Sequence, residues 1–184
     1  MTIAKLRIID LAVFSLLTII IDFVLGRYGL FGLRMYLSVS VCMGLMMIIR
    51  WRKWGILTVI VIVIGHMITF WNNNLLVLIA HSLSLLGIIL AIIIEPKIRN
   101  KTNHFELIIF LYSGIYLVVV LLEWMFLFLF GQEIALINHL FNHSVNFMLG
   151  LFILFLISLQ KELLLDMNTY LIEKSKERKN EKSN

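Results

Sequence analysis

Residues 138–147 read "NHLFNHSVNF", and "MLGLFILFLISL" follows without a break at 148–159. Twenty-two residues free of Asp, Glu, Lys, Arg and Pro make one helix, long enough at about 1.5 Å per residue to cross a hydrocarbon core of about 30 Å. Its first half nevertheless carries three Asn and two His. Hydrocarbon offers such groups no partners, so they need neighbours or water.

The rest of the chain supports the membrane reading. Of 184 residues, 61% are hydrophobic and only 15% charged, with a single proline, and mean hydropathy is +0.98. That is too little charge to cover a soluble domain, so the fold class is all-α, a polytopic membrane protein. Six apolar runs are expected as transmembrane helices, near 6–26, 30–50, 54–72, 75–95, 105–130 and 134–160, making residues 1–165 one membrane domain. The loops between them are short: "GRYG", "RWRK", "NNN", "EPKIRNKTNH" and "GQE". Pro96 is expected to end the fourth helix. The first run has a basic start but lacks a small-residue cleavage site, so it reads as a retained helix rather than a signal peptide. No internal repeat points to an inverted-repeat transporter. Lone Cys42 excludes an internal disulfide.

Net charge is +5, and the location of the cations explains it. Lys5 and Arg7, then Arg50, Arg52 and Lys53, then Lys97, Arg99 and Lys101, and finally the tail lysines and Arg178 fall on alternate ends of the runs. Only Arg27 and Arg34 lie on the other side. The positive-inside rule puts both termini in the cytoplasm, and a nucleic-acid role becomes unnecessary. Residues 166–184 form a charged cytoplasmic tail facing membrane lipid. "ELLLDMNTYLI" is expected to lie as an amphipathic helix at the inner surface, with the final residues disordered.

Polar groups gather in one half of the membrane. Counting 100° per residue from Asn138, Asn142 falls at about 40°, Asn146 at about 80°, His139 at about 100° and His143 at about 140°. Glu123 shares a stripe with Tyr116 and Tyr112 on the fifth helix. His81 and Ser84 lie in the outer half of the fourth, His66 near the outer end of the third, and Asp22 near that of the first. "FWNNN" adds Trp71 and Asn73 at the rim. His66 on its own reads as interhelical pairing. Asn138, His139, Asn142, His143 and Asn146, with Glu123, Tyr116, His81, Trp71 and Asn73, form the expected wall of an outward-opening cavity. Asn and neutral His both donate and accept, and Tyr and Trp suit a flat ring, so the expected occupant is a small polar ring-containing solute.

His139 and His143, spaced i, i+4, could also share a metal, with Glu123 or His81 as a third ligand. No HExxH motif accompanies them, Glu133 is solitary, and Cys42 has no nearby His. The pocket reading needs no metal, cofactor or catalytic residue.

This arrangement of small size, six helices, inward termini and outward polar pocket resembles the S components of energy-coupling-factor (ECF) transporters, which take up vitamins and related micronutrients across the bacterial cell membrane. "GRYGLFGLRMY" sits where those proteins have a loop capping the pocket, and "NHLFNHSVN" and Glu123 where they bind solute. The resemblance implies a substrate-binding, non-enzymatic subunit partnered by a transmembrane coupling protein and two cytoplasmic ATPases. In keeping with that, the chain has no phosphate-binding loop. The family's small residues spaced by four on helix one are matched here only by Ala4, Ala12 and Ser15, without Ala-x-x-x-Ala. Three other classes fit parts of the pattern: a scaffolding subunit of a bacterial cell-shape complex, the membrane sensor half of a peptide-responsive kinase, and an intramembrane metalloenzyme. A scaffold would pair its polar groups between helices; a kinase sensor would continue past "LQKELLLDMNTYLIEKSKE" into a catalytic domain.

Overall fold

The computed structural model describes residues 3–28, 37–69, 75–98, 104–132, 135–159 and 166–181. These are almost entirely helical: α1 (Ile3–Tyr28), α2 (Ser40–Trp51), α3 (Gly55–Thr69), α4 (Leu75–Ser84), α5 (Ala91–Ile98), α6 (His104–Leu129), α7 (Leu136–Ser158) and α8 (Met167–Glu181). Four stretches are long and apolar enough to cross a membrane: Ile3–Leu25, Leu75–Lys97, Glu106–Leu129 and Leu136–Ser158. Large apolar side chains stand exposed along them, among them Ile8, Leu117, Phe128, Phe141 and Phe152. In water such faces would aggregate, whereas in lipid they are solvated. The protein is therefore a helical membrane protein.

The expected second and third spans take a different form among the described residues. α2 has twelve residues and α3 fifteen, about 18 and 22 Å of helix. Every residue of α2 is buried, because "SVCMGLMMIIRW" is apolar nearly all round and so can be packed on all sides. α2 is the hub, with α1, α3, α6 and α7 against it. At Arg52 the backbone takes φ 51, a left-handed conformation that reverses the chain through a 3₁₀ turn, Arg52–Trp54. α3 then runs back along α2: a Cβ on Gly44 would meet Val59 Cγ2 at 3.4 Å, and Ser40 meets His66 at the far end. A Cβ on Gly55 would stand 2.5 Å from the Met47 carbonyl oxygen, so only glycine lets the turn close.

α4 and α5 form one rod, tightened to a 3₁₀ helix over Leu85–Leu90. Gly87 brings that section onto α6, where an added Cβ would lie 3.1 Å from Leu122. The helix passes Pro96 and reaches Ile98, later than expected. Pro96 sits in the last turn, where only one backbone bond is lost. α6 and α7 pack antiparallel, with Tyr112 inserted where Gly150 leaves room: a Cβ there would be 2.0 Å from its hydroxyl.

The end of the bundle away from the His-rich cluster is tied by a second polar group. Arg50 Nε and Trp51 Nε1 donate to Asp10 Oδ2 at 2.5 and 2.7 Å, and the Arg7 guanidinium lies 4.0 Å over the Trp54 ring. α8 docks on the same end. The Asp166 carboxylate accepts from the Thr169 hydroxyl at 2.9 Å and from Arg52 Nε at 2.7 Å. With its N-terminus capped this way and Lys174 Nζ donating to Tyr170 at 3.0 Å, the helix continues to Glu181 instead of fraying into the disorder expected for the last residues.

Partial burial pushes the Asp166 carboxyl up, but the Thr169 hydroxyl and N–H and the Arg52 guanidinium hold it below the ordinary aspartate range. A depressed carboxyl stabilises the docked helix fully above the unfolded value of about 3.9 and loses that contribution as pH falls through the folded one. A spin label at Lys176→Cys is expected to be immobilised at pH 6 and released at acid pH. Asp166→Ala removes a cap worth about 1 kcal/mol and is expected to loosen the label at every pH.

Candidate functional site

The antiparallel register brings six helices' polar side chains to one level. α1 contributes Asp22, α2 Ser40, α3 His66, α4 His81, α6 Tyr116 and Glu123, and α7 His139, His143 and Asn146. They form two knots joined by a pair of stacked rings.

The first knot is closed around Asp22, whose side chain is fully buried. Oδ1 accepts from Val39 N–H at 2.6 Å, and Oδ2 from the Ser38 hydroxyl at 2.9 Å and from the Ser40 hydroxyl. His66 Nε2 lies 2.8 Å from the same Oδ2 and 3.0 Å from Ser40 Oγ. The carboxylate thus fixes the chain just before α2 to α1 and α3. His66 stacks on His81, with centroids 5.4 Å apart and planes 12° from parallel.

The second knot centres on Glu123, which is 6% exposed. Its Oε2 lies 3.0 Å from His81 Nδ1 and 3.6 Å from His143 Nε2. The Tyr116 hydroxyl donates to the His143 carbonyl at 2.9 Å and lies 3.3 Å from His143 Nδ1. His139 Nε2 reaches the Val120 carbonyl at 3.2 Å, and its ring tilts against that of His143 at 4.5 Å. Asn146 Oδ1 accepts from Ser38 N–H at 3.1 Å, linking α7 to the first knot.

Two spaces adjoin the second knot. A gap between Ser38, His81, Tyr116, Glu123, His143 and Asn146 measures about 10 Å³ to a water-sized sphere, room for one water. A larger hollow of about 340 Å³ lies between α6 and α7, walled by Tyr116, Leu117, Val120, Leu140, His143 and Phe147 with Ser113 and Ser144. His143 borders both spaces.

Of the ten sequence-derived positions, eight are described, and the structure brings six of them together. His81, Tyr116, Glu123, His139, His143 and Asn146 converge, while Asn138 and Asn142 are exposed. The expected face was too broad. Burial on α7 centres on the direction of His139 and Gly150, about 100° to 120° from Asn138, and Asn142 at about 40° falls off its edge. Trp71, Asn73 and most of "GRYGLFGLRMY" lie outside the described residues. Asp22 and His66, placed by the sequence in the same half of the membrane, stood outside the expected wall, and Ser38 and Ser40 were not singled out. An Asp in an apolar span paired with a His two helices away was the available signal.

No protein-family model, curated protein or solved structure matches the chain.

Proposed function

We propose that this chain is a membrane-embedded solute-binding protein, the substrate-binding subunit of an ECF-type importer. The observation that carries the reading is the 340 Å³ hollow between α6 and α7, with Tyr116 and His143 at its wall. Its size falls within the range of about 300–1,000 Å³ typical of small-molecule sites, and its apolar lining with a few converging polar groups is the usual composition. The fitting occupant has a flat apolar body lying along Phe147, Val120 and Leu117 and one polar end hydrogen-bonded at His143 and Tyr116. In this reading the chain crosses the bacterial cell membrane six times, with the α2–α3 hairpin completed as two spans and both termini in the cytoplasm. A transmembrane coupling subunit would meet the exposed stripe Ala4, Ile8, Ala12 and Leu16 on α1, and two ATPases would drive uptake.

The test uses the purified full chain in lipid nanodiscs, screened against water-soluble vitamins by native mass spectrometry and thermal shift. A ligand is expected to bind the wild type, and Ser144→Trp, which fills the hollow from an exposed position, is expected to weaken it at least about tenfold, roughly 1.4 kcal/mol, with Tm unchanged. ATPase subunits are expected among proteins co-purified from native membranes.

A second reading is favoured by the Asp22 knot. Its donors and acceptors pair between helices, as in a scaffold that holds partners in a cell-envelope complex. Absence of any ligand, together with co-purified wall-synthesis proteins, would decide for it.

A further inference from the structure

We infer that Glu123, His139 and His143 form a binding site for a divalent transition-metal ion, with zinc as the best match. One ligand atom from each of the three residues lies within 4.8 Å of the others. Two imidazoles and a carboxylate are a zinc donor set, and three protein ligands leave a coordination position open.

Hydrogen bonding decides which nitrogens are available. Val120 O can only accept, so His139 Nε2, 3.2 Å away, carries the proton and Nδ1 carries the lone pair. The Tyr116 hydroxyl spends its proton on the His143 carbonyl at 2.9 Å. Its oxygen is therefore an acceptor for His143 Nδ1 at 3.3 Å, which places the lone pair of that ring on Nε2. Each ring is held by a partner at one nitrogen and keeps the lone pair of the other for a metal, the support that metal-binding histidines characteristically have.

The contact between His143 Nε2 and Glu123 Oε2 then has a particular meaning. At 3.6 Å it is too long for a hydrogen bond, and it sets a lone pair against a carboxylate oxygen. Two ligands of one tetrahedral zinc, each bonded at about 2.0–2.1 Å, stand about 3.3 Å apart. The pair already has nearly that spacing. The facing side chains of His143 and Glu123 are 14% and 8% exposed, so little bulk water relieves the repulsion between the acceptors, whereas a cation between them would. His81 Nδ1, 3.0 Å from the same Oε2, also positions Glu123. Because His143 also borders the hollow between α6 and α7, the open position is suited to water or to a donor atom of a bound molecule. This site stands independently of the transport reading.

The experiment strips the detergent-purified full chain with chelator, reloads it with zinc or cobalt, and measures metal per chain after gel filtration. One equivalent is expected in the wild type and in Asn142→Ala, which alters an exposed neighbour on α7. His139→Gln combined with His143→Gln is expected to lose it. Cobalt is expected to give the intense visible bands of a four-coordinate ion, and His139→Cys a new sulfur-to-cobalt charge-transfer band, which arises only if that residue is a ligand. Wild type that retains only a small fraction of an equivalent overturns the site, as does a paired glutamine variant that binds as much as wild type. Should the glutamine variant fail to fold, the wild-type stoichiometry and the His139→Cys spectrum decide: a metal-loaded His139→Cys protein with no charge-transfer band overturns the assignment.

Discussion

Asp22→Ala is expected to cost about 3–5 kcal/mol, the sum for two or three buried groups deprived of an acceptor at about 1–3 kcal/mol each. In a chain of this length that lowers Tm by roughly 10 °C or more. The size follows from how many groups the carboxylate serves. Val39 N–H, the Ser38 and Ser40 hydroxyls and His66 Nε2 all converge on its two oxygens, and Asp22, Ser40 and His66 are fully buried. Alanine takes the acceptor from the Val39 N–H and the Ser38 hydroxyl and leaves the Ser40 hydroxyl and His66 Nε2 to pair with each other. Asp22→Asn is expected to be milder, about 1–2 kcal/mol. Its amide oxygen keeps the Val39 N–H, and the serine hydroxyls can turn to accept from the new NH₂. Thermal unfolding of the nanodisc-embedded protein, followed by circular dichroism, checks both. A loss below about 1 kcal/mol for alanine, the scale of an ordinary exposed pair, would mean the knot does not hold α1, α2 and α3 together.

The membrane class and the four long apolar helices were legible from hydropathy because both depend only on runs of residues within one segment. The boundaries of α1, α6 and α7 followed from the same runs, each within a few residues of its expected ends. What escaped is what depends on how segments meet. "SVCMGLMMIIRW" looks like any span, and its place at the hub is set by the faces of four neighbours rather than by its own pattern. His66 was readable as a pairing histidine, but naming Asp22 as its partner requires α1 and α3 to run parallel in a register that puts residue 22 beside residue 66. On α7, helical phase correctly grouped His139, His143 and Asn146. It failed for Asn138 and Asn142, since the width of the buried stripe depends on how closely α6 approaches. That approach is set by Tyr112 lying over Gly150, a contact no periodicity discloses. The hollow beside His143 is likewise a product of two surfaces.

The second large effect is expected at Glu123, and it tests whether the two knots behave as one. Glu123→Ala takes the acceptor away from His81 Nδ1, 3.0 Å from the carboxylate, at a cost of about 1–3 kcal/mol. The two carboxylates share no hydrogen-bond partner among the described contacts. They are linked through the His66–His81 stack, whose planes are 12° from parallel. If Asp22 stops orienting His66, that ring can shift, and His81 loses the surface that sets its own direction toward Glu123. Part of the Glu123 interaction is then already gone before Glu123 is changed. A double-mutant cycle on Asp22→Asn and Glu123→Gln, substitutions mild enough to keep the fold, should therefore fall short of additivity by more than about 0.5 kcal/mol. Additivity within that limit would mean that the stacked rings are neighbours without being a link, and that the Ser38–Asn146 hydrogen bond is what ties α7 to the first knot. Coupling would mean that a change at the His143 side, such as occupation by a metal or solute, is felt at the residues that tie α1 to the hub. α1 is the helix whose exposed Ala4–Leu16 stripe a partner would read, so the cycle connects the chemistry of the cluster to the surface where assembly would take place.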